Sequence, residues 1–508
     1  MMSEEKKEFP DVYSYHTFIF PFLWNDSGKI ERKQFESCLD SRWKLDLLDT
    51  HSATDPEAAR QTYSQYQYFN AAARSIIYTV SDTNEEAVRN FRFAPELFDN
   101  NKAPVSYCIK KGTLRYALRV NALRLKLYNT GIGLIVYELE NTEPCDIDQI
   151  NAMNDLGRRV FRPYYATGND GSINCSSCAD MLALEGITDF QGKPVLSRIA
   201  TEEPGGSHEA KLARVVAFLL ENENKRATVK RNDDQENEYY IEPIIDDRMF
   251  VACLVKDRQF ADLLATWNGN EYCYVADALE KEPQAADNVA RMLYEFVFID
   301  GSGITCTSRR LLEELMKRHV YDRWLEYRAS GELSGTVYGI TEYSLVCLST
   351  YFVAIESFLT QYIEMVMLVL AQRASLLAFE RRISEVSRSH RHEKKLRESY
   401  IRFSSRFLLL EVTPQQQGIE LYNRMLEILF VNCKKTMVES QIEGLFELKN
   451  FKINNAQKSI LAIIAFLGGV GALNLLFQWT SLSSGWRLCI TLLTVAVELL
   501  IYFISARD

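Results

Sequence analysis

Two long apolar stretches lie near the C-terminal end of the sequence. Residues 459–479 (SILAIIAFLGGVGALNLLFQW) carry no charged side chain, and residues 488–504 (LCITLLTVAVELLIYFI) carry one, Glu498. A helix needs about 20 apolar residues to cross the hydrocarbon core of a bilayer, and about 17 is the lower limit. Helices of soluble proteins are usually apolar along one stripe, whereas these stretches are apolar all round. The pattern predicts a hairpin of two transmembrane helices and disfavours a hairpin buried in a soluble core.

Charges beside these stretches predict the orientation of the hairpin. Lys449, Lys452 and Lys458 precede the first stretch, and the connection TSLSSG between the two is uncharged. Positively charged residues favour the cytoplasmic side of a membrane. The first ten residues, MMSEEKKEFP, lack the apolar core of a signal peptide. We therefore expect a multi-pass membrane protein with both termini in the cytoplasm.

Upstream, the pattern alternates between strands and helices. Aromatic and β-branched residues predict a strand over residues 13–25, broken at Pro21. Capping aspartates followed by helical apolar spacing predict a helix over residues 146–161. Strand character returns over residues 239–255 and 294–300. Between the predicted helix and residue 239, the sequence predicts a long loop (163–209), an amphipathic helix (209–223) and a charged connection (224–238).

A β-hairpin over residues 118–140 is predicted from strict alternation. Leu123, Leu125 and Leu127 alternate with Arg124, Lys126 and Tyr128, and the sequence NTGIG supplies the turn. Successive side chains of a strand point to opposite faces. The leucines therefore face a core, and the other three residues form an outward face that is either solvated or available to a ligand.

Long helices dominate after residue 303. Residues 308–330 predict a helix, and residues 334–344 predict a break punctuated by glycines. Residues 344–372 are nearly apolar enough for a membrane span, but polar residues that include Glu356 and Glu364 interrupt them. A buried helix is therefore predicted for that stretch.

A very long helix is predicted to lead into the first apolar stretch. Pro414 is suited to the first turn of a helix, and no strong breaker follows before Phe477. An unbroken helix of these 64 residues would be about 96 Å long. Its apolar positions need neighbours, which predicts a symmetric bundle of subunits, a homo-oligomer.

These patterns predict three regions. Residues 1–335 form a cytoplasmic α/β domain, and residues 336–457 form a long all-α stalk. Residues 458–508 contain the two-helix transmembrane hairpin, with spans at 459–479 and 488–504. The predicted fold class is thus an α/β domain followed by a helical stalk and a membrane hairpin.

Composition and motifs exclude several function classes. The chain has 508 residues and a net charge of −10, so we expect no direct binding of nucleic acid. Eleven scattered cysteines suit a reducing cytosol. Cys175 and Cys178 lack a second Cys or His pair at zinc spacing, and His390 and His392, two residues apart, cannot share a helix face. The sequence contains no Walker loop, no G-x-G-x-x-G and no H-E-x-x-H. We therefore expect no enzyme activity, no bound metal and no cofactor.

The order of these regions resembles CorA-type magnesium channels, over about residues 340–508. Members of that family are pentamers whose first span lines the pore and ends in Gly-Met-Asn. Ala472-Leu473-Asn474 stands at the matching position, and the following loop lacks acidic residues. Mg²⁺ gives up its hydration shell reluctantly, and a selective mouth needs acidic residues and a ring of oxygens. The resemblance implies these pore or mouth residues: Asn474, Gly471, Leu467, Ile464 and Ile460.

A narrower resemblance is to the CorA-like membrane proteins of type III CRISPR systems. The stretches FIFPFLWN, GTVYGITEYS and EVTPQQQGIELY are similar to that group, as are the enlarged cytoplasmic domain and the degenerate mouth. The group implies an antiviral effector of the bacterial inner membrane. It implies that the nucleotide-derived messenger SAM-AMP binds the cytosolic domain and that the lipid bilayer is then disrupted or permeabilised. The alternative is a divalent-cation (Mg) transporter or channel of the CorA family.

Such a ligand needs aromatic faces, guanidinium groups and oxygens near its sulfonium. Each candidate residue also has a structural interpretation, because the tryptophans suit core positions and the basic strand face suits solvent. The candidates are Trp24, Asn25, Arg124, Lys126, Tyr128, Arg309, Arg310, His319 and Trp324. Within the second span, Glu498 is an ionisable group that either pairs with Lys458, reaches the lipid surface or holds the helices of a closed bundle together.

Overall fold

The structure is a computed structural model, and all structural statements below concern the residues that it describes. These are residues 12–25, 32–48, 56–83, 85–98, 105–160, 184–188, 194–196, 226–228, 238–256, 293–300, 306–327, 333–349, 352–389, 393–479, 483–490 and 492–493. Several predicted features lie outside them: the helix at 209–223, the Cys175–Cys178 and His390–His392 pairs, most of the second apolar stretch, and Glu498.

A mixed sheet of 13 strands forms the centre of the described N-terminal part, which is an α/β domain. In chain order the strands are β1 (Ser14–Leu23), β2 (Trp43–Leu45), β3 (Val88–Phe93), β4 (Ser106–Lys111), β5 (Leu114–Tyr128), β6 (Ile132–Asn141), β7 (Leu184–Thr188), β8 (Pro194–Leu196), β9 (Arg226–Thr228), β10 (Glu238–Tyr240), β11 (Glu242–Pro243), β12 (Phe250–Val255), β13 (Val320–Tyr327), β14 (Leu333–Ile340) and β15 (Ser344–Ser349). The sheet order is β13-β14-β15-β12-β1-β6-β5-β4-β7-β8, with β11 beside β1 and β3 joining β2 to β5. β9 and β10 form a separate parallel pair.

Strand β1 occupies the middle of the sheet and is buried at every residue. It pairs antiparallel with β6 along its whole length and with β12 from Ser14 to Ile19. The predicted break at Pro21 is wrong, because β1 continues to Leu23. Pairing with β12 ends at Ile19, and pairing with β11 begins at Phe22. Pro21 therefore lies in the gap between these two pairings, where its missing N–H removes no hydrogen bond between strands.

The predicted hairpin is confirmed as β5 and β6. Leu123, Leu125 and Leu127 are all buried in the main hydrophobic core. Gly131 in the turn has φ +93°, a conformation that glycine adopts without steric cost. Its carbonyl accepts a hydrogen bond from the Trp24 N–H at 2.9 Å, so the turn is fixed to the end of β1.

Three predictions between residues 294 and 344 are wrong. Residues 293–298 are helical rather than extended, with buried apolar side chains at helical spacing. The helix predicted over 308–330 ends at His319, and β13 follows it. Residues 334–344, predicted as a break, form β14 and the turn into β15. The short apolar runs fit either structure in isolation, and pairing with neighbouring strands decides between them. The expected domain boundary at 335 falls inside β14.

The labelled helices of the described chain are α1 (Arg32–Glu36), α2 (Pro56–Tyr68), α3 (Ala71–Ile77), α4 (Ile147–Gly157), α5 (Arg309–His319), α6 (Phe352–Ser357), α7 (Ile363–Ser389), α8 (Glu393–Phe407), α9 (Gln416–Ile428) and α10 (Val431–Trp479). The helix predicted over 146–161 is confirmed as α4, which is four residues shorter at its end. Asp146 and Gln149 form a capping box at its start, an arrangement that stabilises a helix by about 1 kcal/mol.

The prediction of a buried helix over residues 344–372 is confirmed from Phe352 onward, whereas Ser344–Ser349 form strand β15 instead. One π-helical segment, Phe358–Tyr362, joins α6 to α7. Ala354–Ser387 is a helical stretch with the length and composition of a membrane span. Its most apolar window is 89% buried inside the protein, which identifies it as a core helix.

The prediction of an unbroken helix from Pro414 to Phe477 is wrong. Helix α9 ends at Ile428, and Phe430 adopts a left-handed conformation with φ +60°. A right-handed helix cannot continue through such a residue. Helix α10 starts directly afterwards and has 49 residues, so it is about 74 Å long.

The chain forms two compact units. One comprises Met1–Arg382 with Ser399–Lys435 and contains the large sheet. The other comprises Ile383–Glu398 with Thr436–Asp508, and its described part is helical. The protein thus has an N-terminal α/β sheet domain and a C-terminal helical region.

Candidate functional site

Two of the candidate ligand-binding residues lie in a buried charged cluster between β5 and α7. Lys126 Nζ donates to Glu364 Oε2 at 2.7 Å and to the Ile77 carbonyl at 2.9 Å. Arg124 donates to Glu138 Oε1 at 2.8 Å through Nη1, and its Nη2 pairs with the other oxygen of Glu364. Lys126 is 1% exposed. The polar face of the hairpin is therefore covered by a helix, and we call these four charged residues the Glu364 cluster.

Opposite charges offset the cost of burial at Glu364. Burial alone would raise the pKa of Glu364, but the charges of Arg124 and Lys126 outweigh burial and hold that pKa below its usual value. Burial lowers the pKa of Lys126, and the charge of Glu364 opposes this effect without reversing it. For Arg124 the two glutamates overcome burial and raise the pKa. Both oxygens of Glu364 are thus engaged by cations.

Two tyrosines, Tyr78 and Tyr128, lie near Glu364. Burial, reinforced by the charge of Glu364, raises the pKa of both Tyr78 and Tyr128, so both stay neutral. The Tyr128 ring meets Phe407 edge-on, with 5.9 Å between centroids. This arrangement joins the sheet to helices α7 and α8. Arg124, Lys126 and Tyr128 thus act as structural contacts in this conformation.

The two candidates at the end of β1, Trp24 and Asn25, also make structural contacts. Trp24 is 3% exposed and packs on Phe35, with 5.2 Å between ring centroids. Its indole Nε1 is buried without a hydrogen-bond partner. The backbone carbonyl of Asn25 accepts from Arg382 Nη2 at 3.0 Å. Trp24 is therefore a core residue.

The remaining candidates lie on α5 and β13. Arg309 begins α5, and its side chain is outside the described part of the structure. Arg310 is exposed and lies 4.0 Å from a glutamate one turn further along. His319 is buried and donates from Nδ1 to a backbone carbonyl at 2.6 Å. Trp324 is 43% exposed, with the neighbouring guanidinium 5.2 Å above its ring. The structure therefore distributes the described candidates over three separate places and does not assemble them into one pocket.

The expected pore or mouth residues all lie on α10. Residues 459–479, which form its last part, carry no charge. Large apolar side chains there are exposed to solvent: Ile460 57%, Leu461 64%, Ile464 59% and Leu475 61%. Gly471 is exposed too, whereas the side chains of Leu467 and Asn474 are outside the description. Beyond α10, Trp486, Leu488, Leu492 and Leu493 are also exposed.

The structure also assembles a cluster of side chains that the sequence patterns did not predict. Tyr343, in the turn between β14 and β15, has the guanidinium groups of Arg158 and Arg248 beside its ring. Arg373 of α7 donates to the carbonyl of the residue before Tyr343. These residues come from four distant segments, and only the run Asp246-Asp247-Arg248 gave a local sign of unusual charge.

A scan against protein-family models and searches of curated proteins and of solved structures returned no match. The resemblance to CorA-like proteins therefore remains a prediction from the order of the regions and the quoted motifs.

Proposed function

We propose that this protein is a ligand-controlled membrane effector. The sheet domain binds a nucleotide-derived messenger in the cytoplasm, and the C-terminal helices then permeabilise the inner membrane. One observation carries the proposal: the uncharged last part of α10 exposes large aliphatic side chains to solvent.

A soluble protein rarely exposes several large aliphatic side chains along one uncharged helix segment. The 21 residues from 459 to 479 are helical and extend over about 32 Å, close to the ~30 Å hydrocarbon core of a bilayer. Lipid is the environment in which such a surface is stable. Lys449, Lys452 and Lys458 then lie on the cytoplasmic side, with the sheet domain.

The finer parts of the proposal rest on the resemblance to CRISPR-associated CorA-like proteins. In this proposal residues 488–504 form a second span, five copies assemble around an axis, and SAM-AMP is the messenger. The column from Ile460 to Asn474 lines the passage through the membrane. A largely apolar column of this type closes by dewetting rather than by binding ions.

Vesicle leakage tests the proposed function. The full chain, purified in detergent, is reconstituted into vesicles that contain a self-quenching dye, and SAM-AMP is added. Dye release that depends on SAM-AMP is the expected result, and adenosine 5′-monophosphate serves as the control nucleotide. Intact vesicles at saturating SAM-AMP would overturn the proposal. Uptake of Mg²⁺ without SAM-AMP and without dye release would instead support the cation transporter.

A further inference from the structure

A left-handed residue lies between helices α9 and α10. Helix α9 ends at Ile428 and α10 begins at Val431, and Phe430 between them has φ +60°. Its N–H donates to the Glu427 carbonyl, and its own carbonyl accepts from the N–H of Lys434, both at 3.0 Å. Glycine or asparagine usually occupies such a position at the end of a helix, whereas a bulky side chain there strains the backbone. The junction of the two helices therefore contains a strained residue.

The sequence around this junction suits a continuous helix. Residues 416–479 contain no proline, and residues 426–436 (LEILFVNCKKT) contain no glycine. With residue 430 in the right-handed conformation, α9 and α10 would form one helix from Gln416 to Trp479. The N–H groups of residues 431–433 would then bond to the carbonyls of the residues four positions earlier, as in any α-helix. The left-handed conformation of one residue is thus what separates the two helices.

Packing on either side holds the junction in this interrupted form. Leu429 and Val431 are 0% and 2% exposed, whereas Phe430 between them is 39% exposed. In the first turn of α10, Lys434 Nζ donates to Glu380 Oε2 of α7 at 3.2 Å. A strained residue persists only where its surroundings fix it. The interruption therefore depends on contacts of the neighbouring residues and not on a preference of residue 430.

Helix α9 is bound to the sheet domain ahead of the junction. Gln417 Nε2 donates to the Tyr362 hydroxyl at 2.9 Å, and Arg424 Nη1 donates to the Val320 carbonyl of β13 at 2.6 Å. Tyr362 ends the π-helical segment before α7, and such segments are frequent at functional sites. Beyond the junction, α10 passes from the first compact unit into the second after Lys435. The junction thus lies between the contacts with the sheet and the helix that continues into the proposed membrane span.

We propose that residue 430 is a conformational switch in the response to the ligand. In this conformation Phe430 is left-handed and the two helices are separate. In the second conformation Phe430 is right-handed, and α9 and α10 form one helix. A ligand that binds the sheet domain loosens the contacts that hold the junction, and relief of the strain at Phe430 then favours the continuous helix. The two conformations are independent of the proposed function, whereas their control by a messenger rests on it.

Pulsed electron paramagnetic resonance of the full chain in detergent tests the switch without any ligand. Labels on unnatural amino acids at Asn423 and Ser440, which are exposed on α9 and α10, avoid reaction at the exposed native thiol of Cys433. Labelled protomers are diluted with unlabelled ones, so that each distance comes from one chain. A continuous helix separates the two labelled Cα atoms by about 26 Å, and an interrupted helix brings them closer together.

Phe430→Gly and Phe430→Val should move the equilibrium in opposite directions. Glycine adopts the left-handed conformation without steric cost, and β-branched valine disfavours it. The ratio of continuous to interrupted helix should therefore be about tenfold higher in Phe430→Val than in Phe430→Gly. Met437→Gly and Met437→Val are the matched controls, because Met437 is exposed in α10 beyond the junction. Both controls should give the wild-type distances, and matching melting temperatures show that all variants are folded.

Identical distance distributions in Phe430→Gly and Phe430→Val would overturn the switch. Vesicle leakage separates the switch from the proposed function, because half-maximal dye release should need about tenfold more SAM-AMP for Phe430→Gly than for Phe430→Val. If both variants release dye at the same concentration, residue 430 does not control the response, so the switch is wrong and the proposed function stands. If the distances differ as expected but no messenger releases dye, the two conformations stand and the proposed function fails.

Discussion

Lys126 Nζ lies 2.7 Å from Glu364 Oε2, across 238 residues of sequence. This contact joins the middle of the sheet to the helix that passes over it, and both side chains are buried. Replacing a buried ion pair by apolar residues is often neutral, but removing one partner leaves a buried charge without compensation. The Glu364 cluster therefore makes the docking of α7 sensitive to single substitutions.

Glu364→Gln should destabilise the protein strongly. The substitution leaves Arg124 paired with Glu138, and it leaves Lys126 with its hydrogen bond to the Ile77 carbonyl. Loss of one member of a buried pair costs about 3–5 kcal/mol, which is measurable as a lower urea midpoint of unfolding. Glu356→Gln is the matched control, because Glu356 is exposed on α6. Equal midpoints for the two variants would show that Glu364 carries no net charge in the folded protein.

His16 should make stability fall as the medium becomes acidic. It is fully buried, with Nδ1 at 2.7 Å from Asn154 Oδ1 and Nε2 at 2.8 Å from Ser14 Oγ. Burial lowers its pKa from 6.5 to about 4. Between these two values the unfolded state binds a proton and the folded state does not. The free energy of unfolding should therefore drop by about 1.4 kcal/mol per pH unit as the pH falls from 6.5 to 4.

Comparison with His16→Gln isolates this contribution from that of the carboxylates. The variant lacks the titrating group, so its stability should fall less steeply between pH 6.5 and 4, by about 3 kcal/mol over the whole window. Cys253 Sγ lies 3.8 Å from His16, but burial raises the pKa of that thiol to about 12, so it stays neutral. Parallel curves for the variant and the wild type would show that His16 is protonated when folded.

Gly131→Ala should be more harmful than Gly112→Ala. Both glycines have positive φ, +93° and +60°. A Cβ at Gly131 would lie 2.5 Å from the Asn25 carbonyl oxygen, whereas one at Gly112 would meet nothing within 4 Å. Gly112→Ala should therefore cost about 1 kcal/mol for backbone strain alone, and Gly131→Ala about 2–3 kcal/mol. Equal changes in melting temperature would show that the end of β1 shifts freely to make room for the added methyl group at position 131.

Local patterns account for the elements that were predicted well. Alternating leucines and the NTGIG turn specified β5 and β6, and capping aspartates with helical apolar spacing specified α4. Each signal lies within a short stretch of neighbouring residues, so it could be recognised without knowing which distant residues pack against it. The same alternation placed Arg124 and Lys126 on one face, but it did not show that α7 covers that face.

Distant pairing accounts for most of the errors. Residues 320–327 are compatible with a helix, and they form β13 because β14 pairs with them. The break before α10 depends on the left-handed conformation of Phe430, a residue with no preference for that conformation. The side chains gathered around the turn at Tyr343 come from positions 158, 248 and 373, and this separation hides them from any local pattern.

The purified protein should be an oligomer, with five copies as the expected number. Helix α10 has 49 residues and exposes aliphatic side chains along its last part. Contacts between copies would cover part of this surface, as the order of the regions predicts. Native mass spectrometry in detergent should give about five times the protomer mass of 58.5 kDa. A stable monomer over a range of protein concentrations would contradict this prediction.

Ile464→Arg should weaken the interaction of the protein with membranes. Ile464 is 59% exposed in the uncharged part of α10. A charged side chain within a membrane span costs up to about 3 kcal/mol on insertion scales. After flotation through a density gradient, less of the variant should remain with the vesicles, and dye release should fall. Ile401→Arg is the matched control, since Ile401 is 53% exposed on α8, outside the proposed spans. It should float and release dye as the wild type does. If Ile464→Arg behaves as Ile401→Arg does, position 464 lies outside the hydrocarbon core, and the exposed surface of α10 then serves a protein partner.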